Sequence, residues 1–268
     1  YRGAFFSKSL ILSVGIAALS GFVGSSILEK DIEYYPLIFT FLGFCAFFKA
    51  LAVYGMPSKS MERSPHENPF GNMKYAWQDR SFGYVLLTWF IMGFANLWTL
   101  PLRVDYITSP QWGIEGSAIF VAMIITVIPE TLRMLLIPFW AGLFDKMNFV
   151  VLRMILNLSF AAGVLLFFIS SNPLIIGAGS ALIGVAFAGG SIAWNLWVTK
   201  YAPPGKTGAY MSVHVSLTGI RGTLGPMIGY WTVGVIGAQN IGILSCVMMI
   251  LATLMLIPEI KHGRRNTA

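Results

Sequence analysis

Charged side chains are scarce in this chain of 268 residues: only 11% are Asp, Glu, Lys or Arg, whereas 56% are hydrophobic. A soluble domain usually carries about a quarter charged residues, so this chain has too few to cover a water-exposed surface. Repeated apolar runs accompany the scarcity, and each run is long enough to cross a bilayer as a helix. The composition excludes most soluble enzyme and nucleic-acid-binding folds and predicts an all-α integral membrane protein.

Cysteine is almost absent as well, and Cys45 and Cys246 each lie inside an apolar run. Two such residues supply neither a disulfide framework nor a metal site, so we interpret both as inert small residues. The sequence also lacks a phosphate-binding G-x-x-x-x-G-K-[ST] segment and any His, Cys and Asp cluster with metal-ligand spacing. We therefore predict a protein that is not an enzyme and has no catalytic residue, metal or cofactor.

Eight apolar runs predict about eight membrane-crossing helices. The runs cover residues 4–28, 34–56, 82–104, 117–144, 149–170, 173–199, 208–236 and 239–258. A long polar stretch, 57–81, separates the second run from the third and has the composition of a linker. We accordingly divide the chain into a two-helix part, 1–56, the linker, and a six-helix part, 82–268.

The Lys and Arg residues lie mainly on one side of the predicted membrane. If the first residue is placed in the cytoplasm, Lys30 and Arg103 are the only Lys or Arg residues in the outer loops. Positively charged loops stay in the cytoplasm, so both termini of this chain are predicted to be cytoplasmic. The net charge of +7 follows from this topology, and no nucleic-acid partner is needed to explain it. The expected partner is the lipid bilayer of the plasma (inner) membrane.

Two short motifs stand at the end of the fourth run and within the seventh. The first is Ala141-Gly142-Leu143-Phe144-Asp145-Lys146, with Arg153 as the nearest cation after it, and the second is Gly225-Pro226-Met227-Ile228-Gly229. The first is similar to the G-x-L-x-D-[RK] loop of the major facilitator superfamily (MFS), with Ala141 where that family has Gly. The second resembles the Gly-Pro motif of the same family, and the likeness extends over essentially the whole chain.

This resemblance implies an MFS-type helical bundle in which the eight helices correspond to family helices 5 to 12. On this expectation the chain is a fragment, four helices precede Tyr1, and 57–81 is the central cytoplasmic linker. The resemblance also implies a secondary carrier that moves a small solute by alternating access, with Asp145, Lys146 and Arg153 in a cytoplasmic gating loop. The alternative is a transporter-like receptor or assembly partner that moves no solute. Oligomeric state, solute and coupling ion stay open.

Ionisable residues at membrane depth raise the free energy of membrane insertion, and the predicted helices contain three such residues that require an explanation. Glu130 and Arg133 lie on one face of the fourth run, and Arg221 lies midway along the seventh. Glu130 is a candidate proton-coupling carboxyl, so that H+ would be the coupling ion. Arg133 or Arg221 is a candidate for binding an anionic solute. The alternative is that Glu130 only neutralises Arg133 or Arg221.

Family helices 7 and 10 line the cavity, and the corresponding runs here carry further candidates. Trp89 and Asn96 share a face of the third run, where Asn96 binds either a solute or a neighbouring helix. Trp194 and Asn195 lie near the inner end of the sixth run, and Trp194 is alternatively an interfacial aromatic. The seventh run contains glycines and a proline, and small residues of this kind predict a close contact with a neighbouring helix. These positions are Gly222, Gly225, Pro226 and Gly229.

Overall fold

The computed structural model describes residues 2–57 and 69–262, so the middle of the predicted linker lies outside the described residues. The described ranges form helices and turns and contain no strand. The α-helices are α1 (Arg2–Lys30), α2 (Tyr35–Tyr54), α3 (Tyr75–Gln78), α4 (Arg80–Thr99), α5 (Leu102–Thr108), α6 (Ala118–Ala122), α7 (Ile128–Lys146), α8 (Phe149–Ile169), α9 (Pro173–Leu196), α10 (Thr207–Ile236) and α11 (Ala238–Met255). The predicted all-α membrane bundle is confirmed.

Seven helical segments within the described ranges are long and apolar enough to cross a membrane. Two of them are composite, because α4 runs on into α5 as Arg80–Thr108 and α6 runs on into α7 as Ala118–Lys146. The eighth expected crossing, α10, is a helix of 30 residues but is less apolar, since Gly, Ser and Thr are frequent in it. Its buried face, which includes Arg221, packs against α4.

The helices from α4 onward pack closely, while the second helix stands apart. α8 contacts both α9 and α11, α9 contacts α7, and α4 contacts both α10 and α11. α1 joins this group by packing along α7, whereas α2 has no buried residue. The core consists of two apolar clusters, and these clusters surround the cavities that are described below.

Side-chain caps fix where three of these helices begin. The carboxylate of Asp79 accepts a hydrogen bond from the Phe82 amide at 3.0 Å, at the start of α4. Asn148 caps α8 in the same way, and Asn172 caps α9 directly before Pro173. Capping satisfies backbone donors that have no partner within the helix, so these polar residues define the first turns.

A wide helical turn, Met123–Val127, interrupts the path from α6 to α7. Pro129 follows two residues after this turn, and a proline has no N–H to continue the regular ladder of backbone hydrogen bonds. The hydroxyl of Ser180 on α9 donates to the carbonyl of Ile124 within this turn. The turn therefore places Glu130 immediately after an irregular segment that a neighbouring helix supports.

The close contact between α10 and α4 is made by glycine. A Cβ atom on Gly229 would lie 2.5 Å from the carbonyl oxygen of Trp98, and one on Gly225 would lie 2.8 Å from the Leu97 Cβ. Pro226 lies beside them and is half-buried, whereas a Cβ on Gly222 would meet nothing within 4 Å. The packing stripe therefore runs through Arg221, Gly225 and Gly229, at intervals of four residues, and bypasses Gly222.

We expect Gly229→Ala to destabilise the protein by about 1–3 kcal/mol, because the added methyl pushes α10 away from the α4 backbone. Gly222→Ala is the matched control on the same helix and is expected to change stability by less than about 1 kcal/mol. Thermal unfolding in detergent measures both effects. Equal melting temperatures for the two variants would contradict the close contact seen here.

Candidate functional site

A cavity of about 350 Å³, the first cavity, lies among α1, α4 and α7 to α10. Trp89 and Asn96 of α4 line it together with Arg133 of α7. Trp194 of α9 and Arg221 of α10 complete this part of the wall. The structure thus brings together most of the residues that the sequence predicts for a solute site. The side chain of Asn195 lies outside the described residues.

Arg153 also lines the first cavity, although the sequence predicts it in the cytoplasmic gating loop. It lies in the second turn of α8, is 4% exposed, and its guanidinium carbon stands 3.5 Å from the centre of the Trp89 ring. Its Nη2 lies 3.2 Å from the sulfur of Met92. Asp145 and Lys146 are exposed at the end of α7. Arg153 therefore faces the cavity from inside α8, apart from the loop with which it was grouped.

Arg221 crosses from α10 to the backbone of α4. Its Nη1 donates to the carbonyl of Trp89, and its guanidinium carbon lies 5.1 Å from the centre of the Trp194 ring. The side chain reaches this position because Gly93 has none, and a Cβ there would overlap the Arg221 guanidinium. Arg221 is 4% exposed, and among the described residues its Nε has no hydrogen-bond partner.

Glu130 and Arg133 form an ion pair within α7. Nη1 of Arg133 donates to both carboxylate oxygens of Glu130 at 3.1 Å, and its Nε donates to the Ser191 hydroxyl at 3.0 Å. Of the two arginines that the sequence offered as partners, the structure pairs Glu130 with Arg133. Arg133 lines the first cavity, but Glu130 lines a second cavity of about 220 Å³. The pair thus stands between the two cavities.

A second polar pair spans the same boundary. Asn96 in the first cavity accepts a hydrogen bond from Nη2 of Arg103, at 2.7 Å, and Arg103 lines the second cavity. The sequence places Arg103 in an outer loop, but it is 5% exposed because α5 continues α4 and lets the side chain reach back along the helix. Phe187 lines both cavities and completes the thin partition between them.

A model of the major facilitator superfamily matches residues 116–268, which begin just before α6 and include Arg133, Arg153 and Arg221. The chain belongs to the major facilitator superfamily. No curated protein and no solved structure gives a significant match. Its apolar helices make this MFS protein a multi-pass membrane protein embedded in a lipid bilayer. It belongs to a family of transporters of small solutes.

An aromatic cluster closes the first cavity of the MFS protein behind Trp89 and Trp194. The Trp89 ring stacks on Trp197 at 5.5 Å and meets the edge of Trp194 at 5.6 Å. His214 contacts all three tryptophans, at ring distances from 4.4 to 5.4 Å. Aromatic contacts of this kind pack densely, and Trp197, directly after α9, places the cluster at the C-terminal end of that helix.

Sequence reasoning missed several cavity residues of the MFS protein, among them Phe187 and, in its observed role, Arg153. A signal for Arg153 was present, because Arg153 and Asn157 are spaced by four residues in an otherwise apolar helix. Such spacing puts both on one face, and both are buried. Phe187 carried no such signal, since one aromatic in an apolar helix is typical of ordinary packing.

Proposed function

We propose that this MFS protein is a secondary carrier that moves a small solute by alternating access, with the first cavity as its solute site. The observation that supports this proposal most is the thin partition between two cavities. Each of its polar pairs, Glu130 with Arg133 and Asn96 with Arg103, has one member on either side. Opening one cavity while closing the other requires that these contacts rearrange as the bundles rock against each other.

Proton coupling is proposed for Glu130. When its carboxylate takes up a proton, the attraction that holds the Arg133 guanidinium is lost, and Arg133 becomes free to reorient within the first cavity. Arg133 also binds Ser191 on α9, so its movement changes the contact between α7 and α9. A proton bound on one side of the membrane thereby biases which cavity is open.

The proposed topology places both termini of this chain in the cytoplasm of a cell with the carrier in its plasma membrane. Residues 82–268 form the six-helix part, 57–81 the cytoplasmic linker, and 1–56 the two helices of the other part. The packing of α1 along α7 supports a contact between the two parts. In this topology the loop that contains Ser171 faces outward.

The test is cysteine labelling, which needs no knowledge of the solute. Thr218→Cys is a near-isosteric reporter in the first cavity, and Cys45→Ser removes the exposed native thiol while the buried Cys246 stays. We expect a membrane-impermeant methanethiosulfonate to label Thr218→Cys both in intact cells and in inside-out vesicles, because the cavity opens to each side in turn.

Ser171→Cys, in the exposed turn between α8 and α9, is the matched control. It is expected to react only in intact cells, which checks the orientation and the integrity of the vesicles. Labelling of Thr218→Cys from one side alone would contradict alternating access. That result would favour a receptor or assembly partner with a static cavity.

A further inference from the structure

The first cavity has an excess of positive charge. Arg133, Arg153 and Arg221 all line it, and none of the described residues that line it is acidic. Glu130 neutralises Arg133 from the neighbouring cavity. Two guanidinium groups therefore face the cavity without a neutralising group in its wall.

Among the described residues, Arg153 and Arg221 contact no acidic side chain, and both contact Trp89. Within 2–57 and 69–262 the ion pairs are Glu130 with Arg133 and Glu259 with His262, so neither arginine has a carboxylate partner. Their contacts are the Trp89 ring and Met92 sulfur for Arg153, and the Trp89 carbonyl and the Thr218 hydroxyl for Arg221. Buried charges are normally paired, so two unpaired guanidiniums around one tryptophan indicate that the partner is a ligand.

Unused hydrogen-bond donors point to the same group. Nε of Arg221 and Nε1 of Trp89 are buried and have no acceptor among the described residues. A guanidinium presents its donors in a planar fork that suits the two oxygens of a carboxylate or phosphate. An oxyanion between the two guanidinium groups would neutralise the charge of both arginines.

The rest of the wall is apolar and aromatic. Met92, Leu97, Phe160 and Phe187 line the cavity together with the face of Trp194. Its volume of about 350 Å³ exceeds that of a single inorganic ion and falls at the small end of organic-ligand sites. The ligand therefore needs an apolar body as well as an anionic group.

We propose that the first cavity binds a small organic anion, with its carboxylate or phosphate between Arg153 and Arg221 and its apolar body against Trp194 and Phe187. This inference rests on the proposed function for the transport step, because it names the class of solute that the carrier moves. It explains why two arginines are buried at membrane depth without acidic partners.

The test is a charge series on one ring, measured by quenching of tryptophan fluorescence and by thermal stabilisation of the purified full-length protein in nanodiscs. The probes are benzoate, phenyl phosphate, neutral benzamide, cationic benzylamine and inorganic phosphate. We expect benzoate or phenyl phosphate to bind roughly tenfold or more tightly than benzamide, and benzylamine not to bind. Benzoate against phenyl phosphate distinguishes a carboxylate from a phosphate site, and weak binding of inorganic phosphate supports the role of the apolar body.

Variants then assign the binding to the two arginines. Arg221→Gln and Arg153→Gln are each expected to weaken anion binding by roughly tenfold or more, and Arg221→Lys by less. Arg80→Gln, an exposed cation at the start of α4, is the matched control and should bind like the parent. If a Gln variant fails to fold, the Lys variant and the charge series on the parent still decide the matter.

Equal binding of benzamide and benzoate, or unchanged anion binding in the folded Gln variants, would overturn the inference. Tighter binding of inorganic phosphate than of phenyl phosphate would overturn the organic-anion part of it. These failures are distinguishable from failure of the proposed function. If Thr218→Cys is labelled from one side only and anions bind selectively, the protein is an anion receptor. If Thr218→Cys is labelled from both sides and anions are not preferred, the protein is a carrier for another class of solute.

Discussion

Glu130→Gln is expected to abolish the pH response that proton coupling at this residue predicts. A glutamine is neutral at every pH, so it reproduces the protonated state in which Arg133 has lost its 3.1 Å carboxylate partner. In the parent protein, the labelling rate of Thr218→Cys should differ between neutral buffer and buffer acidic enough to protonate the Glu130 carboxylate. In the Glu130→Gln variant the rate should stay at the low-pH value of the parent throughout.

The same variant is expected to lose gradient-driven accumulation. With the membrane potential clamped at zero, a carrier that moves one proton per solute accumulates about tenfold for each pH unit across the membrane. The variant should only equilibrate the solute, to a ratio of about 1, because no charge change remains for the proton gradient to act on.

A purely structural role for Glu130 predicts a different pattern in the double variant Glu130→Gln with Arg133→Gln. Removing both charges relieves the unpaired guanidinium and should restore stability, as it does for other buried pairs. If Glu130 is the coupling group, the pH response stays absent in the double variant. Its return there, or its survival in Glu130→Gln alone, would refute proton coupling at this residue.

Asn96→Leu is expected to destabilise the protein by about 2 kcal/mol and to stop solute movement. Arg103 is buried, and the 2.7 Å bond to the Asn96 side chain is its shortest contact, with Thr99 at 3.5 Å. Removing an acceptor from a buried cation costs the hydrogen bond and leaves the charge desolvated. Denaturant unfolding measures the stability, and uptake of the tightest-binding anion measures the movement.

Asn96→Asp separates these two effects. It keeps an acceptor for Arg103 and supplies a full negative charge, so folding should be retained. The added charge also faces the first cavity, and it should weaken anion binding there. Asn240→Leu, at an exposed asparagine of α11, is the matched control and should change neither property. A stable, fully active Asn96→Leu variant would show that the pair with Arg103 has no such role.

Much of the fold followed from the sequence, because in a bilayer the length of an apolar run already determines a helix. The break between α4 and α5 at Pro101 and the wide turn before Pro129 were not predicted. Hydropathy also hides the role of α10, since the glycines that let it pack against α4 lower its apolar character. Length and periodicity therefore identified the helices but not their irregular points.

The candidate site was only partly predictable, since membership of a cavity depends on helix rotation and tilt. Arg221 was found because an ionisable residue at membrane depth needs a partner, whereas Trp89 and Asn96 were found because they share a face of a helix that lines the cavity in the resembled family. Arg153 was grouped with Asp145 and Lys146 because it is near them in sequence. It lies one helical turn into α8, however, and is buried at the first cavity, whereas the other two are exposed. The partner of Glu130 could not be predicted for the same reason, because the choice between Arg133 and Arg221 depends on the three-dimensional structure.

The contact between Gly93 and Arg221 constrains how this protein can evolve. A side chain at position 93 occupies the volume of the Arg221 guanidinium, so any replacement of the glycine first removes the arginine from the cavity. Conversely, once Arg221 is lost, position 93 is released to accept larger residues. The order of mutations therefore matters, and the two positions are expected to change together as this MFS protein evolves.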